Sequence, residues 1–124
     1  MERPNWDQYF LNLAKNIASR ATCPRASVGV VIAKDNRILS TGYNGAPSGE
    51  PHCFEAGCRM VDGHCIRTIH AETNAIAQAA KFGISIDGAI MYLWSNTNIP
   101  SCIKCSQLIK AVGIIKIVGT EHGD

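Results

Sequence analysis

The side chains best suited to chemistry fall in two short clusters, His70-Ala71-Glu72 and Pro100-Ser101-Cys102-Ile103-Lys104-Cys105. Cys102 and Cys105 are three residues apart, so in the first turn of a helix both sulfurs share one side. One added histidine gives zinc three protein ligands and leaves its fourth position for water. That open position separates a catalytic zinc from a closed structural one. Both clusters suit a helix start, where the positive end of the helix dipole favours thiolates and a developing hydroxide. Zinc lowers the pKa of a bound water to about 7, which supplies a nucleophile at neutral pH. Glu72 is the candidate proton carrier for such a hydrolysis. Positions i and i+2 of a regular helix point to different sides, which reserves Glu72 for the substrate rather than the metal. If His70 and Glu72 both face the site, it must lie off the helix end.

Helices and strands must hold these clusters. Trp6, Phe10, Leu13, Ala14, Ile17 and Ala18 recur at spacings of three and four, one face of an amphipathic helix with Asn5 as its N-cap and Trp6 and Phe10 as packing residues. Val28 to Ala33 and Ile38 to Tyr43 flank Lys34-Asp35-Asn36, which predicts an antiparallel hairpin. Asn44 to Gly63 is rich in Gly, Pro, Cys and His, and is too long for an idle connection. The spacing predicts a helix from Ala71 to Phe82 ended by Gly83, and a buried strand from Ala89 to Trp94. A polar loop, Ser95 to Ser101, leads to a helix carrying Cys105, Leu108, Ile109 and Val112; Ile114 to Val118 reads as another buried strand. Strands alternating with helices near the end require a crossover and hence a parallel pairing, so the expected fold is a layered α/β domain.

The 124 residues suit one domain spanning 1–124, and 46% hydrophobic with 18% charged residues is enough to bury a core. The net charge is only +2, and the densest basic stretch, Arg20 to Arg25, is short. That favours a small anionic substrate over a polynucleotide, which calls for a basic stripe or arm. No segment approaches the roughly 20 apolar residues that span a bilayer. Residues 1–20 carry acids and match neither a secretory nor a transit signal, which places the chain in the cytoplasm, without a membrane partner. The six cysteines, Cys23, Cys53, Cys58, Cys65, Cys102 and Cys105, then read as metal ligands rather than disulfides.

His-x-Glu followed by Pro-Cys-x-x-Cys is the signature of the zinc deaminases. The chain resembles that family over nearly its whole length and is most similar to its deoxycytidylate (dCMP) deaminases. Val28 to Ile32, Thr41 to Gly49 and Asp62 to Ile76 carry the likeness. The resemblance implies a three-layer α-β-α cytidine-deaminase-like fold with a mixed central sheet, and conversion of dCMP to dUMP and ammonia in pyrimidine nucleotide metabolism. It further implies a catalytic zinc on His70, Cys102 and Cys105, with Glu72 as proton shuttle. Asn44 would hydrogen-bond the sugar and the Ala71 backbone the base. Arg25 and Arg67 are the nearest cations in sequence for a phosphate. Family members often form hexamers controlled by dCTP and dTTP, and Gly42-Tyr43-Asn44-Gly45 looks like their effector-binding motif. A homo-oligomer with such effectors is therefore expected. A second, structural zinc would draw on Cys23, Cys53, His64 and Cys65, with Cys58 or His52 in reserve. The chain departs from the family in Ser101, which separates Pro100 from Cys102, and in a longer loop before it.

Plainer readings stand beside these. Asn44 in an Asn-Gly pair is commonly a left-handed turn residue, Arg25 and Arg67 are ordinarily solvated, and Cys58 fits a buried thiol. Trp94 could stack on the base, but an aromatic at a strand end is usually core or rim. Two other functions remain: a nucleic-acid deaminase acting on adenosine in a tRNA, and a non-catalytic zinc module. The first would want a basic face, and the second has no need of Glu72.

Overall fold

A computed structural model of the chain describes residues 2–22, 26–45, 60–61, 64–65, 69–97 and 103–119, excluding the side chains of 60–61, 64–65 and 103–105. Helix α1 (Trp6–Ala18) begins where the Asn5 side chain accepts the Gln8 N–H at 2.8 Å, the N-cap its sequence predicts. Phe10, Ala14 and Ala18 are buried along one face. Trp6 is a partial exception to the packing role expected of it: it stacks on Phe10 but remains 53% exposed, because it stands in the first turn, at the margin of that face.

The hairpin forms as expected. Strand β1 (Val28–Lys34) pairs antiparallel with β2 (Arg37–Tyr43), and Asp35 and Asn36 both take positive φ, as a two-residue turn between right-twisted strands requires. A register shift at Ile32/Ala33 leaves Leu39 as an extra residue, so that Ser40 and Gly42 stand opposite Ile32 and Val30. A second hairpin pairs β3 (Met60–Val61) with β4 (His64–Cys65), so the segment expected to be loop to Gly63 contains strand. The intervening Asp62-Gly63 is in sequence a strong hairpin signal. Helix α2 (Ala71–Lys81) ends at Phe82 and Gly83, whose φ of +67° closes it. Strand β5 (Ile90–Ser95), helix α3 (Ile103–Ala111) and strand β6 (Lys116–Gly119) complete the described elements.

The main sheet has the order β2-β1-β5-β6, antiparallel except for the β5–β6 pair. That one parallel pair is the crossover through α3, as expected. Side chains alternate across a strand, so β1 feeds two cores. Val30 and Ile32 join Ala71, Ala75, Met91 and Ile109 on the α2 and α3 face, while Val31 and Ala33 join Phe10, Ala14 and Tyr92 under α1. Burial on both faces explains the continuous apolar run of β1. β6 corrects the expectation of a buried strand: among the described strands it has one neighbour, and Ile115 and Ile117 are 72% and 51% exposed.

Two glycines set how closely the helices approach. A Cβ at Gly29 would collide with the Ala14 carbonyl of α1. One at Gly42 would lie 2.5 Å from the Ala75 nitrogen and 2.6 Å from the Ala71 oxygen of α2. Both obstacles are backbone, so neither can step aside. Gly42→Ala is therefore expected to destabilise the protein by about 1–3 kcal/mol, read as a loss of urea midpoint at unchanged slope.

On the other face, the hydroxyl of the buried residue Tyr92 donates to the exposed Asp7 Oδ1 at 3.0 Å. Burial, then the hydrogen bond and negative charge of Asp7, push this phenol above its ordinary value of 10.0. The folded protein thus holds the proton more tightly than the unfolded chain. The resulting stability is full below about pH 10 and is lost as pH rises through the folded value. Tyr92→Phe should flatten that alkaline fall in melting temperature, at a cost of about 1 kcal/mol at neutral pH.

Candidate active site

The antiparallel register brings three chain segments to one edge of the sheet. Gly29 lies opposite Tyr43 and Val28 opposite Ser95, so the entry to β1 sits between the ends of β2 and β5. α2 feeds β5 through the turn at the far end, and α3 returns the chain from β5 to β6. Both helices therefore run antiparallel to β5 and begin at this same edge. Ligand crevices in α/β sheets characteristically lie at the carboxyl ends of parallel strands.

The start of α2 is tied down in three ways. Gly45 and Ile69 exchange backbone hydrogen bonds of 3.2 and 2.8 Å, an isolated bridge that delivers the chain to His70. Asn74 donates from Nδ2 to the Tyr43 carbonyl at 2.8 Å, and the Ser40 hydroxyl donates to the Ala75 carbonyl at 2.7 Å. His70 is the N-cap, with extended backbone (φ −63°, ψ 149°), and its carbonyl accepts the Asn74 N–H at 2.9 Å. Because His70 is outside the helical turn, the opposed directions of i and i+2 in a regular helix do not apply to His70 and Glu72. Their position at the helix end is where the sequence argument required a shared site to lie.

Ala71 and Glu72 form the first helical positions and are buried, Glu72 to 7% exposure. Among the described residues no hydrogen-bond or ion-pair partner engages the Glu72 carboxylate. The side chain is largely withdrawn from water in the first turn of α2, where the positive end of the helix favours a carboxylate.

Of the expected zinc ligands, His70 is half-buried at this edge, and Cys105 is the third residue of α3, which packs beside α2. Cys102 and the side chain of Cys105 lie outside the described residues, among which no three His, Cys, Asp or Glu side chains converge. An imidazole at one helix start and a Cys-x-x-Cys pair entering the next are the donor chemistry of an open zinc site. Arg25, Arg67, Cys23, Cys53, Cys58 and His52 also lie outside the described residues, while His64 and Cys65 form β4.

Asn44 is buried and is not a left-handed turn residue: the described non-glycine residues with positive φ are Asp35 and Asn36. Its Oδ1 accepts the Val28 N–H and its Nδ2 donates to the Ala26 carbonyl, both at 2.8 Å. Trp94 packs with the α1 cluster, with the Lys15 ammonium 5.9 Å from its ring centroid, which supports the core reading over the base-stacking one. Gly42 and Tyr43 instead help line a groove of about 330 Å³ between β2 and α2, with Asn74, Gln78, Phe82 and Ile84 opposite. Sequence reasoning did not single out Asn74, Ser40 or Asn96. Each acts through a contact more than 30 residues away in the chain, and only the polar side chain itself hinted at one.

A mixed sheet with one helix beneath, two above and a His-x-Glu helix start defines the cytidine-deaminase class of fold. The model of the cytidine and deoxycytidylate deaminase zinc-binding region matches residues 4–121, and the chain belongs to that family. It is 50% identical over 121 residues to ComE operon protein 2 of Bacillus subtilis, covering 98% of this chain and 62% of that protein. It is 39% identical to the deoxycytidylate deaminase of Mycobacterium phage D29, over 95% of this chain and 96% of that one. Among solved structures, the dCMP deaminase of cyanophage S-TIM5 in complex with dCMP and dUMP superposes with a TM-score of 0.78 at 30% identity. That match covers 96% of this chain and 83% of the phage chain. Among the described residues, no helix is long and apolar enough to cross a membrane.

If Glu72 serves chemistry rather than the fold, Glu72→Gln in metal-free protein should melt at or above the wild-type temperature, within about 1 kcal/mol. A large drop in the calorimetric melting temperature would make the carboxylate structural.

Proposed function

We propose that residues 1–124 form a single deaminase domain that hydrolyses dCMP to dUMP and ammonia. The observation that carries this reading is a buried carboxylate, Glu72, two residues after a histidine N-cap at the carboxyl edge of the sheet. The dCMP- and dUMP-bound relative and the family membership support the substrate class.

His70, Cys102 and Cys105 would hold zinc, whose presence lowers the pKa of water enough to supply a nucleophile at neutral pH. Glu72 takes a proton from the attacking water, passes it to the ring nitrogen beside the amino-bearing carbon, and assists departure of the amino group as ammonia. Water supplies the oxygen of the product carbonyl, so water and dCMP are consumed and dUMP and ammonia formed. The Ala71 backbone, at the positive end of α2, would receive the base, and Asn44 the sugar. Arg25 and Arg67 would neutralise the phosphate. Cys23, Cys53, His64 and Cys65 would form a second, structural zinc site.

Control by dCTP and dTTP in a homo-oligomer, such as a hexamer, belongs to the same reading. The groove between β2 and α2 beside Gly42 and Tyr43 supports it, since neither His70 nor Glu72 is among its described lining residues.

The test follows the loss of cytosine absorbance when zinc-loaded protein meets dCMP, with deoxycytidine in parallel. Turnover of dCMP alone is expected. Turnover of neither overturns the reading and makes an RNA deaminase or a non-catalytic zinc module the next hypotheses. Glu72→Ala should retain zinc by metal analysis while kcat falls by about 10²- to 10⁴-fold.

A further inference from the structure

Residues 26–28 enter β1 between two asparagines. In extended backbone, successive residues direct their N–H and C=O groups to alternate sides. Ala26 and Val28 address the β2 side, where Asn44 Nδ2 donates to the Ala26 carbonyl and Asn44 Oδ1 accepts the Val28 N–H, both at 2.8 Å. Ser27 addresses the β5 side, where Asn96 Oδ1 accepts its N–H at 2.9 Å and the Asn96 N–H donates to its carbonyl at 3.1 Å. The two asparagines thus continue the sheet ladder past its last strand pairs.

Their surroundings differ. Asn44 is 7% exposed, and its second amide N–H has no partner among the described residues. Asn96 is exposed, and the described contacts of its side chain go to Ser27. The terminal torsion of an asparagine is broad, so the Asn44 amide plane is set by its two partners on 26–28. Those partners are only as fixed as the segment that carries them, and Asn96 holds that segment from the opposite side. Across Asn96, the Ser95 hydroxyl accepts the Thr97 N–H at 3.1 Å.

We propose that Asn96 is a positioning residue for nucleotide binding: by holding Ser27 from the β5 side, it aims the unused N–H of Asn44 at the substrate. This rests on the reading of Asn44 as a sugar contact. On this reading Asn96 acts through Ser27 and Asn44, so its removal alters binding more than the chemical step.

The experiment compares Asn96→Ala and Asn96→Asp with the wild type. The Asp variant keeps an acceptor for the Ser27 N–H. In Asn96→Ala the KM for dCMP should rise about 5- to 10-fold with kcat within about 2-fold, a loss of binding rather than of transition-state chemistry. Asn96→Asp should restore KM to within about 2-fold of wild type. Hydrogen exchange at the Val28 amide, which Asn44 rather than Asn96 holds, should quicken in Asn96→Ala by at least about 3-fold, as expected of coupled neighbours. Unchanged KM in an active protein overturns the proposal, as does unchanged Val28 exchange in any folded protein. If the wild type deaminates no dCMP, the functional reading fails by itself and the Val28 exchange decides the positioning role.

Discussion

The close seating of α2 on β2 governs the arrangement around the candidate site. Gly42 lets the Ala71 carbonyl and the Ala75 nitrogen approach the strand more closely than any side chain would permit. Ser40 and Asn74 then bond across the gap, from strand to helix and helix to strand. The Gly45–Ile69 bridge fixes where the chain enters the helix. Interiors are close-packed and do not deform continuously, so this contact transmits the strand geometry to the first turn of α2. His70 and Glu72 inherit their positions from it.

The same edge shows where the fold spends stability. Val30, Val31 and Ile32 are fully buried and anchor both cores, while backbone bonds and the side chains of Asn44 and Asn96 together satisfy polar groups at the rim. Against that background Glu72 stands out as a carboxylate only 7% exposed in the first turn of α2. Functional sites are where such local costs are tolerated, because the surrounding packing over-determines them.

The two faces of the sheet divide the work. Under α1, Phe10, Tyr92 and Trp94 form an aromatic layer whose polar outlet is the Tyr92–Asp7 bond. Above it, alanines at 71, 75 and 79 allow α2 to lie close. Large aromatics on that side would lift the helix and its terminal residues away from the sheet edge.

Much of this was legible in the chain itself. Spacings of three and four marked α1 and α2, an apolar run and a Lys-Asp-Asn turn marked the β1–β2 hairpin, and His-x-Glu with Cys-x-x-Cys marked the chemistry and the family. These are local signals, carried by backbone propensity and residue type within a few positions. The exposure of β6, the packing of Trp94 away from the α2 face and the clasp of Asn44 and Asn96 on residues 26–28 were not legible. Each depends on which strands become neighbours and on contacts between segments far apart in sequence. An isolated asparagine or tryptophan carries no mark of its distant partner. Sequence alone therefore determined the elements and the reactive groups, while tertiary packing decided which edge they share and which polar atoms remain unspent there.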